Sequence, residues 1–541
     1  MAMTQIDVVE QGGEQRRPPP LREWLAPAIP GAPLLGWIGP IAVALFAAFL
    51  RFDRLAIPRA VVFDETYYAK DALALIKYGW EHNTIKNADA ALLTPGTDVR
   101  NPEIWSEGAS FVAHPPAGKW LIGIGEWIFG ATPFGWRFMA ALCGSLSVLI
   151  LARIARRMTG STLLGCAAGL LLALDGLHLV TSRTALLDIF VMFWVLCAFG
   201  CLVVDRDRSR ARLAEKVTEG GIGRGGPMGA GGGPGATGLD AIYGPFLLHG
   251  WRIGAAVCLG LACATKWTGI FYVAAFGLLA LVWDMGARRA ARVPSPYLGA
   301  LVRELPLLAA GGVIIVATYL ASWWGWTFRS GGWGRGAISG NPLWRPVEAL
   351  PDLWRYHREM LNFHTGLESK HPYQSWPWDW PILRRPVAFY YTEPREGCGA
   401  SKCSREILGI GTPAIWWAAV VSLVVLIFLW LYYRDWRAGA ILVGYAAGWI
   451  PWFWPAVNSR TMFLFYATPM LPFMVLAIVL CLGLIIGPAR DPGPRRLFGS
   501  AIAGAYMLLV IANFFYFYPV LAAKVIPYEQ WQQIVRFKGW I

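Results

Sequence analysis

The sequence predicts an all-α membrane protein that crosses the bilayer about eleven times, and three observations carry this prediction. Hydrophobic residues make up 56% of the 541 residues and charged residues only 15%, whereas a soluble surface needs more charge. Apolar runs of the ~17–25 residues that a helix needs to cross a bilayer recur along the chain. Clusters of arginine follow apolar runs at 153–157, 206–212, 288–292, 434–437 and 490–496.

The predicted crossings are the apolar runs themselves. They are 34–50, 133–152, 162–180, 184–204, 248–264, 267–284, 305–326, 411–432, 437–455, 462–487 and 497–518. Alternating them from a cytoplasmic N-terminus places every arginine cluster on the cytoplasmic side, as the positive-inside rule requires. The net charge of +14 is therefore explained by topology, and nucleic acid is not an expected partner.

The remaining segments define the domain organisation. Residues 1–33 are polar and Pro-rich and predict a disordered cytoplasmic arm; residues 34–541 form the transmembrane domain. The first external loop, 51–132, contains an amphipathic helix at Asp64–Tyr78 and an apolar run at 117–130 that is too short to span. Residues 205–247 form a cytoplasmic loop whose Gly-rich part, 220–238, is a flexible linker without a P-loop motif. Residues 327–410 form a large external loop.

Two polar motifs lie in the first external loop. Asp64 and Glu65 begin the amphipathic helix, and His114 precedes two prolines in the run Ala113–Lys119. The prolines fix the backbone where the chain returns to the membrane, so His114 is expected at the water–lipid boundary. Adjacent acids in a loop are often only solvated, and that simpler interpretation stays open for a lone pair.

Several ionisable residues lie within or at the ends of predicted crossings. They are Arg137, Arg183, Asp188, Lys266 and Arg460. Charges at membrane depth are costly, so they pair with each other or line a polar cavity. A structural ion pair between Arg183 and Asp188 is one interpretation. The other is a site for a phosphate-bearing lipid headgroup, with an acid from the external loop as its base.

The large external loop is rich in tryptophan and contains two cysteines. Trp323, Trp324, Trp326, Trp376, Trp378 and Trp380 favour a loop that lies on the membrane, and stacking on a sugar is the alternative. Cys398 and Cys403 share a polar segment, and we expect a disulfide between them. No His or Cys cluster has zinc-ligand spacing, so no metal site is predicted.

These motifs together resemble those of the protein O-mannosyltransferase family, in its actinobacterial branch. The resemblance rests on Phe63–Glu65, Ala113–Lys119, Arg137, Ser182–Arg183 with Leu187–Asp188, Lys266–Gly269, Asn362–Gly366, His371–Tyr373 and Ser459–Pro472, and it covers roughly 34–520. Fungal and animal members carry a β-trefoil MIR domain in the large external loop, for which the loop here is too short. The Gly-rich insert matches no family feature.

The resemblance implies a GT-C fold, a polyprenyl-phosphate-mannose donor and inverting transfer to Ser or Thr of secreted or membrane polypeptides, with the Sec translocon as an expected site of encounter. Asp64 is then the base, and Glu65 a positioning partner. The expected phosphate-binding residues are Lys266, Arg137, His114, Arg183 and Arg460. The expected residues of the donor and acceptor pocket are Trp267, Asp188 and Tyr466. No cofactor is expected beyond the lipid-linked donor, and metal dependence is left open.

The expected location is the cell membrane, with the active site on the extracellular side. Two alternatives follow from the same residues. Another GT-C transferase, which glycosylates a lipid or a cell-wall glycan, would share the acidic loop and the carrier site. A transporter would show inverted repeats and polar residues near mid-membrane, whereas the charges here gather at one face.

Overall fold

The protein is described by a computed structural model over residues 20–31, 34–219, 239–337, 340–488 and 493–540. Helices dominate these ranges. In chain order they are α1 (Leu21–Leu25), α2 (Leu35–Phe52), α3 (Glu65–Tyr78), α4 (Ala88–Leu93), α5 (Ala117–Phe129), α6 (Pro133–Thr159), α7 (Thr162–Ala173), α8 (Gly176–Thr181), α9 (Leu187–Glu219), α10 (Leu239–Tyr243), α11 (Gly250–Thr265), α12 (Gly269–Ala290), α13 (Pro296–Ser322), α14 (Trp324–Phe328), α15 (Arg345–Thr365), α16 (Pro413–Tyr433), α17 (Trp436–Trp449), α18 (Phe453–Val457), α19 (Leu471–Ile486), α20 (Pro494–Leu521) and α21 (Tyr528–Ile534).

Eight of the described apolar segments are long enough to cross a membrane. They are Pro133–Thr159, Leu187–Glu219, Gly269–Ala290, Pro296–Ser322, Pro413–Tyr433, Trp436–Val457, Leu464–Ile486 and Pro494–Leu521. Three shorter apolar helices, at Gly36–Phe52, Thr162–Ala173 and Gly250–Thr265, occupy the other predicted positions. Each predicted crossing therefore contains a helix, which confirms the polytopic all-α class. The count of eleven crossings stays a prediction.

Local sequence signals set the helix boundaries at the tight turn between α6 and α7. Helix α6 ends at Gly160, which adopts the left-handed conformation (φ 70°) that glycine accepts without a Cβ clash. Ser161 follows immediately, and its side chain accepts a hydrogen bond from the Leu164 amide to cap α7. Helix α6 packs against α7, α2 and α9, and α7 packs against α2, in the main apolar core.

Two segments differ from the sequence prediction. Residues 20–31 lie within the arm predicted to be disordered, yet α1 buries Leu25 against Leu213 and Val217 of α9. Helix α9 continues to Glu219, so the first part of the predicted loop 205–247 is helical. Contacts with α1 explain this extension, because they bury an apolar face that a free loop would leave in water. The Gly-rich insert 220–238 and residues 1–19 lie outside the described residues.

The two long polar loops, which the sequence predicts to be external, contain small sheets as well as helices. In the first loop, β1 (His82–Thr84) pairs antiparallel with β2 (Trp105–Ala109). In the large loop, β3 (Val387–Thr392) and β4 (Cys403–Gly409) form a hairpin that β5 (Val525–Pro527) extends. A disulfide joins Cys398 to Cys403, with 5.9 Å between the Cα atoms. Since Cys403 pairs with Pro527, the disulfide lies where the large loop meets the C-terminal segment.

Candidate active site

The site begins at the loop that connects α2 to the amphipathic helix α3. Phe63 has a positive φ of 50°, which is unusual for a bulky residue and carries strain. Its ring stacks on Phe389 at 4.9 Å and contacts Phe465 edge to face at 5.7 Å. This aromatic packing holds the strained backbone in place, and it fixes the position of the next residue, Asp64.

Asp64 precedes the first turn of α3, and its carboxyl is open for chemistry. Among the residues that the structure describes, none forms a side-chain hydrogen bond with it, and it does not cap α3. Burial raises the pKa of Asp64 from 3.8 to about 6; the nearby Lys266 lowers that pKa and Asp188 raises it further. Asp64 is therefore a carboxylate near neutral pH that still binds a proton readily.

Glu65 is fully buried and has a different environment. Its two carboxylate oxygens accept hydrogen bonds from Arg137 Nε (2.7 Å) and Nη2 (2.8 Å) and from the amides of Val62 (2.9 Å) and Ala185 (3.0 Å). Such a set of partners satisfies most of the carboxylate's acceptor sites. Glu65 thus pairs with Arg137 and anchors the loop, and neither of its carboxylate oxygens is left for a substrate.

Arg137 completes this anchor from α6. Besides Glu65, it donates to the carbonyls of Leu55 (3.2 Å), Pro58 (3.0 Å) and Ala60 (2.8 Å), so its five N–H groups all have protein partners. In the described structure Arg137 therefore has no donor left for the phosphate that the sequence analysis assigned to it. The same contacts secure the loop on which Asp64 lies.

Lys266 and Asp188 form a buried ion pair close enough to influence the pKa of Asp64. Helix α11 ends at Thr265, and the extended backbone of Lys266 interrupts the helical path before α12 begins at Gly269. Lys266 Nζ donates to both carboxylate oxygens of Asp188, each at 3.0 Å. The ammonium also lies 4.5 Å from the centroid of the Tyr466 ring, a cation–π contact.

Arg183 does not take part in this pair. Its Nη1 donates to the carbonyls of Leu50 (2.9 Å), Arg51 (3.0 Å) and Asp53 (2.6 Å), where it caps the C-terminal end of α2. The predicted alternative of an Arg183–Asp188 ion pair is wrong, because Asp188 pairs with Lys266. The geometry gives Arg183 a structural position and separates it from the cations that were expected at the phosphate.

His114 reaches the site because α5 approaches α9 and α11 closely. A Cβ on Gly118 would lie 2.7 Å from a methyl group of Leu187 and 2.8 Å from the methyl group of Thr265, so a larger residue would push these side chains away. The His114 ring lies 5.0 Å from that of His364, and its Nδ1 has no hydrogen-bond partner within the described ranges. Burial lowers the pKa of His114 well below 6.5, and Lys266 and His364 lower it further, so the imidazole is neutral.

His364 is a site residue that sequence reasoning did not single out, although it lies in the Asn362–Gly366 motif. Its Nε2 lies 2.7 Å from the Ala113 carbonyl, and Arg460 Nε donates to the His364 carbonyl at 3.0 Å. Its ring is 6.0 Å from that of Trp267. His364 therefore connects three motifs that are far apart in sequence. The sequence signal for His364 is its position within the Asn362–Gly366 motif. The packing of α15 is needed to show that this histidine reaches the site.

The other predicted site residues, Trp267, Arg460 and Tyr466, lie around the residues described above. The Trp267 indole donates to the Tyr319 hydroxyl at 3.0 Å and stacks on His357 at 5.8 Å. The Arg460 guanidinium lies 5.9 Å from the Tyr466 ring. Within the described ranges, no three His, Cys, Asp or Glu side chains gather closely enough to hold a metal ion. The site thus combines one open carboxyl with cationic and aromatic side chains.

Comparison with known proteins places this arrangement in a family. Residues 41–217 match the family model described as dolichyl-phosphate-mannose-protein mannosyltransferase, and residues 349–540 match the C-terminal four TMM region of protein-O-mannosyltransferase. The chain is 39% identical, over 519 residues, to the polyprenol-phosphate-mannose–protein mannosyltransferase of Mycolicibacterium smegmatis, with 93% of each chain covered. For the Corynebacterium glutamicum protein of the same name, the identity is 32% over 515 residues, or 92% of each chain.

A solved structure shares the fold. The Saccharomyces cerevisiae protein O-mannosyltransferase Pmt1-Pmt2 complex bound to the sugar donor aligns with a TM-score of 0.68 at 15% identity, with 95% of this chain and 93% of that chain covered. The predicted GT-C fold is thereby confirmed. The chain belongs to the protein O-mannosyltransferase family of membrane glycosyltransferases.

Proposed function

We propose that this protein transfers mannose from polyprenyl-phosphate-mannose to Ser and Thr hydroxyls of exported polypeptides. The names of its relatives supply the donor and the class of acceptor. The observation that carries the chemistry is the Asp64 carboxyl, which has a pKa of about 6, no side-chain hydrogen bond among the described residues, and a buried cation beside it. The reaction needs one base and a place for an anionic leaving group, and this arrangement offers both.

Asp64 acts as the general base in this proposal. A Ser or Thr hydroxyl is a weak nucleophile, so a carboxylate must take its proton as the new bond forms. The hydroxyl oxygen bonds to the anomeric carbon of mannose while the bond from that carbon to the phosphate oxygen breaks. The proton passes to Asp64, and the bonding electrons leave with polyprenyl phosphate. The products are a mannosylated side chain and a free lipid phosphate.

Lys266 stabilises the leaving phosphate. An ammonium carries three N–H donors, and two contacts with Asp188 leave one donor for a phosphate oxygen. His114 supplies a second group, because its unpartnered Nδ1 can donate when it carries the imidazole proton. Arg460 is held by the His364 carbonyl and contributes positive charge nearby. A phosphate leaves as a stable anion, so cations replace the acid that a glycosidase requires.

The presence of one open carboxylate among the described site residues supports inversion at the anomeric carbon. A retaining reaction uses a second carboxylate as a nucleophile. Glu65 is adjacent in sequence, but its oxygens are engaged with Arg137 and two backbone amides. Direct displacement by the acceptor hydroxyl is therefore favoured. We assign Glu65, Arg137 and Arg183 to positioning of the Asp64 loop rather than to the phosphate.

The outer face of the cell membrane is the proposed location. The site lies at the N-terminal end of α9, whereas the arginine cluster at 206–212 lies toward the other end of that helix. The positive-inside rule favours a cytoplasmic position for the cluster and for the N-terminus, and this supports a site on the outer face. The disulfide in the large loop supports an oxidising compartment on that side. Acceptors would arrive there unfolded from the Sec translocon, and no cofactor other than the lipid-linked donor is proposed.

The test uses the purified full chain with polyprenyl-phosphate-mannose and a Ser/Thr-rich peptide, read by mass spectrometry. We expect a hexose adduct on the peptide and none on a matched peptide with Ala at every Ser and Thr. A parallel reaction with a glycan acceptor tests the alternative transferase, and a chelator tests metal dependence. Adducts on the glycan alone would contradict the proposal.

A further inference from the structure

A cavity of about 400 Å³ lies between α9 and α11, far from the candidate active site. It is lined by Cys201, Asp205, Arg208, Arg212, Gly250, Trp251 and Gly254. Arg208 is twenty residues past Asp188 on the same helix, a rise of about 30 Å, which equals the thickness of the hydrocarbon core. The cavity therefore lies in the leaflet opposite the active site, near its headgroups.

The lining changes from cationic to apolar along the membrane normal. On α9, residues 201, 205, 208 and 212 share one face because they are spaced by four, three and four residues. Helix α11 runs antiparallel, since Arg212 donates to the Leu248 carbonyl and a Cβ on Gly254 would lie 3.3 Å from Cys201 Sγ. The arginines thus lie at the headgroup end, and Cys201 and Gly254 lie about 10–16 Å deeper, with Gly250 about 6 Å nearer the headgroups than Gly254.

The exposed surroundings match this gradient. The Arg208 guanidinium lies 5.1 Å from the Trp251 ring, and Trp with Arg is typical of the membrane interface. Ile253 and Val257 continue the surface toward the bilayer centre, with relative exposures of 56% and 37%. A Cβ on Gly250 would meet nothing within 4 Å, so the groove beside α11 is open.

The one acid in the lining does not cancel the arginines. The Asp205 carboxylate accepts a hydrogen bond from Arg252 Nε at 2.9 Å and lies 2.8 Å from His249 Nδ1. Arg252 and His249 also contact the buried Glu304 carboxylate, so Asp205 belongs to a polar network inside the helix bundle, and its partners in that network do not line the cavity. Arg208 and Arg212 remain exposed and give the headgroup end of the cavity its positive charge.

We propose that this cavity binds one anionic phospholipid from the leaflet opposite the active site. Its phosphate would lie at Arg208 and Arg212, and an acyl chain would pack over Gly250, Gly254 and Cys201. Basic pockets between transmembrane helices bind acidic headgroups in this way. The polarity gradient matches a lipid, whereas a soluble phosphate would leave the apolar part of the groove empty.

Native mass spectrometry of the full chain in neutral detergent tests the proposal, with phosphatidylglycerol and phosphatidylcholine titrated separately. We expect one saturable phosphatidylglycerol site. The double variant Arg208→Gln, Arg212→Gln should weaken it about thirtyfold, because each juxtamembrane arginine contributes ~1 kcal/mol. Gly250→Leu, whose Cβ would meet no atom within 4 Å, should weaken it by obstructing the acyl chain. Arg289→Gln, an exposed arginine outside the lining, should leave binding unchanged.

Three results would overturn the proposal. Equal binding of phosphatidylcholine would show that the headgroup charge is not recognised. Displacement of the lipid by millimolar inorganic phosphate would show a simple anion site. Wild-type affinity in the arginine double variant would place the lipid elsewhere. Because binding is measured without donor or acceptor, the outcome does not depend on the proposed transfer reaction.

Discussion

Both carboxylate oxygens of Asp188 lie 3.0 Å from Lys266 Nζ, and this ion pair lies beside the Asp64 carboxyl. The two residues are 78 positions apart, one in the first turn of α9 and the other in the break between α11 and α12. Asp188 compensates the buried ammonium when no donor is bound. The pair thus keeps a cation available at the site without leaving it unpaired.

Lys266→Ala is expected to raise the apparent dissociation constant for the lipid donor about thirtyfold, because a hydrogen bond to a charged group is worth ~2 kcal/mol. Peptide affinity should change little. The variant should also unfold more easily, since Asp188 would be left buried and unpaired. The double variant Lys266→Met, Asp188→Asn separates the two effects: it should recover thermal stability but not donor affinity. Recovery of both would make Lys266 purely structural.

Glu65→Ala is expected to reduce the thermal stability and folded yield of the protein. Removing one partner of a buried ion pair costs ~3–5 kcal/mol, and Arg137 would lose its carboxylate. Asp98→Ala, an exposed acid in the same loop between α2 and α6, is the control and should leave the melting temperature unchanged. A Glu65 variant that keeps wild-type stability yet loses activity would instead give Glu65 a direct catalytic role.

The sequence was sufficient for the positions of the helices but not for the pairing of the charges. Hydropathy alone located a helix at each predicted crossing, and amphipathic spacing located α3 at Glu65–Tyr78, within one residue of its prediction. Lys266 was assigned no acid partner, and Arg183 was offered as the partner of Asp188. Which charges meet depends on how α9 and α11 pack, and a single sequence carries no direct record of that packing.

The differences between the structure and the sequence prediction also arise from how the helices pack. Helix α1 forms because Leu25 finds an apolar surface on the extended end of α9. The run of main-chain carbonyls that Arg183 caps becomes visible only when the end of α2 is located in space. His364 gains its place through the carbonyl of Ala113, 251 residues earlier in the chain. Polar contacts between residues so far apart in the sequence are set by the fold, and the fold is set by the apolar pattern.

Reduction of the Cys398–Cys403 disulfide is expected to loosen the β3–β4 hairpin without unfolding the protein. Closing a loop this short restricts the unfolded chain little, so the free energy of unfolding should fall by at most about 2 kcal/mol. The double variant Cys398→Ser, Cys403→Ser mimics the reduced state. Alkylation of the unreduced protein with peptide mapping is the check: labelled Cys398 and Cys403 would refute the bridge.

Transfer should depend on pH through Asp64. Burial raises its pKa to about 6, and only the ionised form accepts the acceptor proton. We therefore expect kcat/KM to rise about tenfold per pH unit below pH 6 and to level off above it. The profile should be measured with a saturating peptide and a limiting donor. A flat profile between pH 5 and 7 would contradict the assignment of Asp64 as the base.

The raised pKa of Asp64 also predicts an effect of pH on the stability of the protein. The pKa of Asp64 is raised on folding, so its contribution to stability is present below pH ~4, near the ordinary pKa of an aspartate, and is lost as pH rises through about 6. The Asp64→Asn variant has no carboxylate to ionise, so it does not lose stability as the pH rises. It should therefore melt at a higher temperature than the wild type at pH 7 but not at pH 4. Equal melting temperatures at pH 7 would show that the carboxyl is not buried.

The central claim is that Asp64 takes the proton from the acceptor hydroxyl, and the turnover of Asp64→Asn tests it most directly. Asparagine keeps the size and removes the base, so transfer should fall by at least two orders of magnitude. Donor affinity should stay near that of the wild type, since Asp64 is assigned no contact with the phosphate. Asp98→Asn serves as the matched control and should retain full activity. Near-wild-type transfer of mannose by Asp64→Asn would contradict the account.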